Sequence, residues 1–203
     1  MAAAPQAPRP TARALALPGA PDAWAPLGFA PGEPIGGVAV AMGAPELELA
    51  VHGLASERPA GLAIVAAADG PAEPGTHPNG AVAVDHVVAL TDDLGRTLPA
   101  LEQAGLEVRR IRVPPEAHVR QAFLHLRSLI LEIVEVAGDR PALWGVTVSV
   151  ADLDACVREL GPLLGAPRDA VQPGRRIATV RPEAGLPIAL ALMTPRPQRS
   201  PSS

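Results

Sequence analysis

A strand–helix pattern occurs twice in this chain, and one copy lacks the histidine that the other carries. In the first copy, residues 84–90 read VDHVVAL and lead into DDL at 92–94; in the second, residues 144–150 read WGVTVSV and lead into ADL at 151–153. Leu94 and Leu153 lie 59 residues apart, and the same offset places His86 opposite Gly145. The pattern therefore predicts a duplicated structural unit with a metal-capable side chain in one copy alone.

Each copy predicts the element order β-α-β-β-β. In the first copy, β-branched residues over 81–90 indicate a strand, Thr91 is a candidate helix N-cap, and apolar residues at helical spacing indicate a helix that ends at Gly105. Pro99 predicts a kink, or a helix that begins near Thr97, because proline removes a backbone hydrogen bond. Further strands are predicted over 106–113, 120–126 and 129–136, and in the second copy over 144–150, 170–173, 175–181 and 186–193.

The composition divides the chain into five parts. Pro- and Gly-rich residues 69–80 precede two modules, predicted at 77–140 and 141–193. Residues 20–76 are predicted to be a degenerate partial module, since 23–29 and 47–51 resemble parts of the first copy, although no equivalent of the first strand is expected before Trp24. The tails, 1–19 and 194–203, are rich in Ala, Pro, Arg and Ser, and are expected to be disordered because such segments bury little apolar surface.

Charge and cysteine content limit the classes of partner. The formal net charge is −4, and the 17 basic residues, all arginine, are interspersed with acids, so neither a nucleic acid nor an anionic membrane is an expected partner. No apolar run is long enough to span a bilayer. Cys156 is the one cysteine, which excludes an intrachain disulfide and suits a reducing cytoplasm. Its helical spacing with Leu153 and Leu160 predicts a buried, unreactive thiol.

Paired β-α-β-β-β modules of this kind, with DHVV at 85–88 opening one and LEIVE at 131–135 closing it, resemble the vicinal oxygen chelate superfamily. That superfamily includes glyoxalase I, bleomycin-resistance proteins and extradiol dioxygenases. The resemblance covers roughly residues 78–193 and, more weakly, 21–68. It implies an α+β fold in which paired βαβββ modules form a curled mixed sheet around a cleft, with the degenerate partial module at the N-terminus.

The resemblance also implies a site for one divalent metal, which could be Fe, Mn, Ni or Zn. His86 matches the ligand on the first strand and Glu132 the ligand on the last strand of module one. The matching positions in module two are Gly145 and Ala189, which cannot coordinate, and catalytic metal sites commonly use three protein ligands. A third ligand could come from His52, Glu48, His118, His125, water or a partner chain, and a homodimer is one way to supply it.

Other interpretations of these two residues stay open. His86 could be a hydrogen-bonded core histidine, and Glu132 could lie at the mouth of the cleft or pair with an arginine, because an unpartnered buried carboxylate is costly. A direct His86–Glu132 pair would satisfy both groups without a metal. His125, Phe123 and Arg176 are the candidate ligand-binding residues: His125 lies on a strand beside the cleft, and Arg176 or Arg175 follows a Pro-Gly turn from which either could reach an anion.

Two main functions compete on these grounds. One is a glyoxalase-like, metal-dependent lyase or dioxygenase that acts on a small molecule with adjacent oxygens. The other is a metal-free protein of the bleomycin-resistance type that binds a small molecule without chemistry. A third possibility assigns function to an oligomeric interface. No nucleotide cofactor is expected, because the glycines form neither G-x-G-x-x-G nor a phosphate loop.

Overall fold

The computed structural model describes residues 10–68, 70–113, 119–138 and 140–196, which form two β-sheets with short helices. In chain order the elements are β1 (Thr11–Pro18), α1 (Pro21–Trp24), β2 (Ala39–Ala44), β3 (Glu48–His52), β4 (Ile64–Ala66), β5 (Ala81–Thr91), α2 (Leu94–Gln103), β6 (Val108–Arg112), β7 (Gln121–Leu126), β8 (Leu129–Glu135), β9 (Ala142–Val150), α3 (Leu153–Leu160), β10 (Arg168–Asp169), β11 (Arg176–Thr179) and β12 (Ala189–Met193). None of the helices in the described part of the chain has the length and apolar character needed to cross a bilayer.

The larger sheet contains both predicted modules. Its eight strands follow the order β10-β11-β12-β9-β5-β8-β7-β6. In each module the first strand pairs in parallel with the last, β5 with β8 and β9 with β12, and the two first strands pair antiparallel at the centre. The α+β fold with paired βαβββ modules in one mixed sheet is therefore confirmed.

Strand alternation divides the central strands between a buried face and a partly exposed one. In β5 the side chains of Val87 and Ala89 are fully buried, and in β8 those of Leu131 and Ile133 are fully buried. The N-terminal segment and the apolar sides of α2 and α3 join the same hydrophobic core. The intervening residues of β5 and β8 are half-buried and face the other way, which leaves that face open for a site.

The N-terminal tail corrects one prediction. The sequence predicts disorder over 1–19 and no strand before Trp24, but β1 lies inside a four-stranded sheet of order β2-β1-β3-β4, with Leu15 and Leu17 buried. The alternation of apolar residues in this stretch is a strand signal that the Pro- and Ala-rich composition obscured. Residues 1–9 lie outside the described part of the chain.

The N-terminal sheet does not repeat the strand order of the two modules. β1 lies between β2 and β3, parallel to the first and antiparallel to the second, and β4 is parallel to β3. In each module, by contrast, the first strand pairs with the last. The segment thus contributes to the common core, but through a different topology from the one that its local sequence similarities suggest.

The Pro- and Gly-rich stretch before module one is hydrogen-bonded to the N-terminal segment and to both modules. The buried Asn79 donates from Nδ2 to Leu27 O (2.9 Å), and its Oδ1 accepts the backbone N–H of Ala81 (3.0 Å). The Sγ of Cys156, which is buried as predicted, donates to Asn79 O (3.2 Å). The side chain of Asn79 therefore connects the N-terminal segment to β5, and its backbone carbonyl connects both to α3.

Helix α2 differs in detail from its prediction. Asp93 rather than Thr91 is the N-cap, and its Oδ1 accepts a backbone N–H of the first turn (3.2 Å). Thr91 is buried, and its hydroxyl is hydrogen-bonded to that of Thr97 (2.7 Å). The helix begins at Leu94 and continues through Pro99, so the predicted later start is wrong. The described part of the C-terminal tail, 194–196, follows β12, and residues 197–203 lie outside the described residues.

Candidate functional site

A cleft of about 510 Å³ opens on the partly exposed face of the larger sheet, a volume that suits a small molecule. Both modules line it. The residues are His86, Arg110, Arg112, Gln121, Phe123, His125, Ile130 and Glu132 from module one, with Arg168, Asp169, Ala170, Val171, Gln172, Pro173, Ile177 and Met193 from module two. The cleft that the resemblance implies is therefore present, enclosed by strands from both halves of the sheet.

A bulge in β5 determines which side chains face the cleft. The pairing of β5 with β9 shifts register between Val84 and His86, so the alternation read along the sequence does not hold across this point. Val84 is buried in the core, whereas His86 lines the cleft. Simple strand alternation would place both side chains on one face, but the extra residue in β5 reverses it.

The imidazole of His86 is held at both ring nitrogens. Nδ1 lies 3.1 Å from Asp85 Oδ2, and Nε2 lies 2.9 Å from the hydroxyl oxygen of Thr147 on β9. Because the Asp85 carboxylate can only accept, the proton is on Nδ1, and Nε2 accepts the Thr147 hydroxyl proton when the ring is neutral. His86 is thus oriented by one residue of each module.

Asp85 is a buried, permanently charged anchor. Its Oδ1 lies 2.8 Å from Arg175 Nη2, with side-chain exposures of 1% and 2%, and 3.4 Å from Arg196 Nε. Burial would raise the pKa of Asp85, but hydrogen bonds from His86 and Arg175 and the charges of Arg175 and Arg196 hold it well below its usual range. The carboxylate therefore stays ionised at neutral pH and fixes the tautomer of His86.

Glu132 and His86, the two predicted metal ligands, lie close together. Glu132 Oε2 is 3.9 Å from His86 Nε2, with side-chain exposures of 16% and 13%, so the two groups are neighbours without a direct hydrogen bond. Burial raises the pKa of Glu132, while the charges of His86 and Arg112 oppose that rise. The cleft thus holds a carboxyl group that ionises less readily than an exposed glutamate.

The donor set does not fit the divalent metal that the resemblance implies. A Cβ at Gly145 would lie 2.8 Å from Ala189 O, so the two second-module positions have their backbones in contact and leave no room for ligating side chains. The Thr147 hydroxyl already occupies the Nε2 lone pair of neutral His86. Over residues 10–68, 70–113, 119–138 and 140–196, no group of three His, Cys, Asp or Glu side chains could hold a metal ion.

The alternative third ligands do not complete the set. Glu48 and His52 belong to β3 of the N-terminal sheet and are not among the residues that line the cleft. His125 does line the cleft, but it does not form a three-residue group with the two predicted ligands. His118 lies outside the described residues.

The structure brings two of the three predicted ligand-binding residues to the cleft. Phe123 and His125 alternate with buried residues of β7 and line the cleft. Arg176 does not line it, and its Nη1 instead pairs with Asp154 Oδ2 of α3 (3.0 Å). Neighbouring strand residues project to opposite faces, so Arg175 points inward to the buried carboxylate while Arg176 pairs on the helix side.

Sequence reasoning missed the arginines of the cleft and the role of Asp85. Arg110 and Arg112 lie on β6, and Arg168 lies on β10 at the opposite edge of the sheet, so the two walls each present positive charge. An acid inside an apolar strand run is a signal that could have singled out Asp85, because such a group needs a buried partner. Arg110 and Arg112 alternate along β6, but in an arginine-rich chain that spacing carries little weight.

Comparisons with known proteins found matches among solved structures. No protein-family model and no curated protein matches the chain. Methylmalonyl-CoA epimerase from Mycobacterium tuberculosis is similar with 18% identity and a TM-score of 0.49, over 59% of this chain and 92% of that one. Methylmalonyl-CoA epimerase in complex with methylmalonyl-CoA and NH4+ gives 22% identity and a TM-score of 0.49, over 60% and 99%.

A similarity this distant carries no activity or residue role from those enzymes to this chain. Its fold follows instead from its own strands: two βαβββ modules, in each of which the first strand is parallel to the last, joined antiparallel through their first strands. This arrangement is the paired-module mixed sheet that the sequence predicts.

Proposed function

We propose that the cleft binds a small anionic carbonyl compound and that Glu132 transfers a proton on its carbon skeleton without a metal ion. The observation that carries this proposal is the position of Glu132, a partly buried carboxyl with a raised pKa, 3.9 Å from an imidazole of fixed orientation. The arginines on both walls favour a ligand with negative charge.

The chemistry follows from the groups that meet at the cleft floor. The Glu132 carboxylate takes the proton from a carbon next to the carbonyl group, and the electron pair of the broken C–H bond moves to the carbonyl oxygen, which gives an enolate. A raised pKa makes the carboxylate a stronger base. The nearby charge of Arg112, which already acts on Glu132, stabilises the enolate oxygen. Return of the proton to carbon completes an isomerisation or epimerisation.

His86 supports Glu132 in this scheme. With Nδ1–H donated to Asp85, the ring presents Nε2 towards both Thr147 and Glu132. Rotation of the Thr147 hydroxyl away from Nε2 leaves a lone pair that can take up the proton delivered to Glu132. The two side chains thereby hold one proton between them while the enolate is present.

Hydrogen–deuterium exchange at carbon tests the proposal. The protein is incubated in D2O with 2-oxo acids and malonyl thioesters, including methylmalonyl-CoA, and deuterium uptake is followed by NMR. We expect Glu132→Gln to slow exchange by about 100-fold or more, because a general base is lost. Glu102→Gln, at an exposed position of α2, is the matched control and should leave the rate unchanged.

The pH profile and a chelator separate this mechanism from its rivals. Exchange should increase as the pH rises through the pKa of Glu132, which lies above the ordinary value of 4.5. Prior treatment with EDTA should leave the rate unchanged. Equal rates for the wild type and Glu132→Gln would contradict the proposal, as would an EDTA-induced loss that Mn²⁺ or Ni²⁺ restores.

Binding without chemistry is the second candidate function. It is favoured by one observation: both ring nitrogens of His86 already have partners within the protein, so the imidazole is satisfied without a substrate. In that case calorimetry would detect binding of an anionic compound, and no deuterium would enter the bound molecule. The bleomycin-resistance type of function would then describe the cleft better than an enzyme.

A further inference from the structure

A second pocket, of about 340 Å³, lies beside the cleft at the turn between β7 and β8. Its lining residues are His125, Arg127, Leu129, Ile130 and Arg196. His125 and Ile130 also line the cleft, so the two spaces share a wall. We call the smaller space the basic pocket. The cleft and the basic pocket therefore adjoin each other at His125 and Ile130.

The basic pocket has more positive charge than its surroundings neutralise. No carboxylate is among its lining residues, and Arg127 forms no ion pair with any described residue. Arg196 is paired with Asp85, but Asp85 also binds Arg175 at 2.8 Å. One carboxylate thus serves two guanidinium groups, and the third guanidinium, on Arg127, has none.

A further sign of incomplete neutralisation lies next to the basic pocket. Nη1 of Arg175 is buried and has no hydrogen-bond partner among the described residues, although its Nη2 and Nε are bound to Ser149 and Thr194. A buried N–H group without a partner is costly. The region around Asp85 therefore carries both excess positive charge and unused hydrogen-bond donors.

The turn that presents Arg127 is held in an unfavourable conformation. Arg127 has φ = 49°, in the left-handed region that residues with a Cβ rarely adopt. The next residue, Ser128, donates from Oγ to Ala12 O of β1 (3.0 Å), which fastens the turn to the N-terminal sheet. The N-terminal segment thereby holds the turn from which the Arg127 side chain extends.

We propose that the basic pocket binds a phosphate-class oxyanion, and that this group is the distal end of the ligand whose carbonyl end lies in the cleft. The second half of this inference rests on the proposed function. Guanidinium groups present paired N–H donors that match the oxygens of a phosphate. Leu129 and Ile130 supply an apolar surface for the carbon chain that joins the two ends.

Titration with inorganic phosphate tests the pocket by itself. Calorimetry at low ionic strength should show binding to the wild type, and Arg127→Gln and Arg196→Gln should each weaken it by about tenfold, because each removes a charge-assisted hydrogen bond. Arg158→Gln, at an exposed position of α3, is the matched control and should leave the affinity unchanged. All three substituted side chains are exposed, so the variants should fold, and circular dichroism checks this.

The outcomes separate this inference from the proposed function. Equal phosphate affinity in the wild type and the Arg127 and Arg196 variants would overturn it, and so would a larger loss in Arg110→Gln, which would place phosphate in the cleft. In the exchange assay, Arg127→Gln should raise the KM of a phosphorylated 2-oxo acid about tenfold and leave that of pyruvate unchanged. If exchange is independent of Glu132 while phosphate binding depends on Arg127, the proposed function alone fails.

Discussion

Asp85 shows how one side chain can set the state of a whole site. It lies in a strand of apolar residues, and its negative charge persists because His86, Arg175 and Arg196 converge on it. The charge orients the imidazole, and the imidazole in turn lies against Glu132. The proposed chemistry would therefore depend on a carboxylate that does not line the cleft.

The pH dependence of stability should reveal this carboxylate. The pKa of Asp85 is lower in the folded protein than its ordinary value of 3.8, so its contribution is fully present above about that pH and is lost as the pH falls further. Asp85→Asn should lower the free energy of unfolding at pH 7 by about 3–5 kcal/mol, because it leaves Arg175 buried without a counter-charge. Urea unfolding at pH 7 and pH 3 measures both effects.

The control for this experiment is an exposed ion pair of similar geometry. Asp154 Oδ2 lies 3.0 Å from Arg176 Nη1, but both side chains are well exposed. Asp154→Asn should therefore cost at most about 1 kcal/mol. Equal losses for Asp85→Asn and Asp154→Asn would show that Asp85 is not the buried anchor described above.

At the scale of the elements, the close contact of β9 with β12 explains why the second module has no ligating side chains. Gly145 lies opposite Ala189 in the parallel register, and the glycine Cα faces the carbonyl and Cβ of that residue. The corresponding strands of module one, β5 and β8, place Val88 opposite Glu132. The second module thus leaves no room for a side chain at residue 145, whereas β8 of the first module carries the carboxyl group of Glu132.

A side chain at Gly145 should disturb this pairing. Gly145→Ala places a Cβ 2.8 Å from Ala189 O and should lower the free energy of unfolding by about 1–3 kcal/mol, as is typical of overpacking. Ala142→Val, at an exposed position of the same strand, is the control and should cost far less. Chemical denaturation checks both. A fully stable Gly145→Ala would mean that a ligating side chain could be accommodated there.

The elements also show what the sequence could and could not predict. The strands and helices of the modules were predictable because alternation and helical spacing recur at a fixed offset, and His86, Glu132, Phe123 and His125 do reach the cleft. The bulge in β5 was not predictable, because it depends on the pairing with β9. The partnership of Asp85 with Arg175 spans 90 positions of sequence, and no local pattern encodes it.

At the scale of the whole molecule, three parts of the chain share one core and meet at Asn79. This residue donates to Leu27 O of the N-terminal segment, accepts the backbone N–H of Ala81 at the start of β5, and accepts a hydrogen bond from Cys156 of module two. The N-terminal sheet also holds the turn of the basic pocket through Ser128. The extra segment is therefore part of the structural support of the site.

Such mutual dependence predicts a single unfolding transition. Asn79→Ala should lower the free energy of unfolding by about 1–3 kcal/mol, because Leu27 O loses its buried donor. In the wild type, circular dichroism and fluorescence of the buried Trp24 should give one and the same unfolding midpoint. In the variant the two signals should again agree with each other, at a lower midpoint. Asn79→Asp keeps the acceptor for the Ala81 N–H but sets a buried carboxylate against Leu27 O, and should therefore cost at least as much as Asn79→Ala. Separate midpoints for the two signals would contradict one cooperative unit.

The hydrogen bond between Thr147 and His86 makes the two modules depend on each other. It joins a strand of module two to a cleft side chain of module one, across the seam where β5 and β9 pair. Either module produced alone would lack one partner of this bond, so neither half carries the complete support of the cleft.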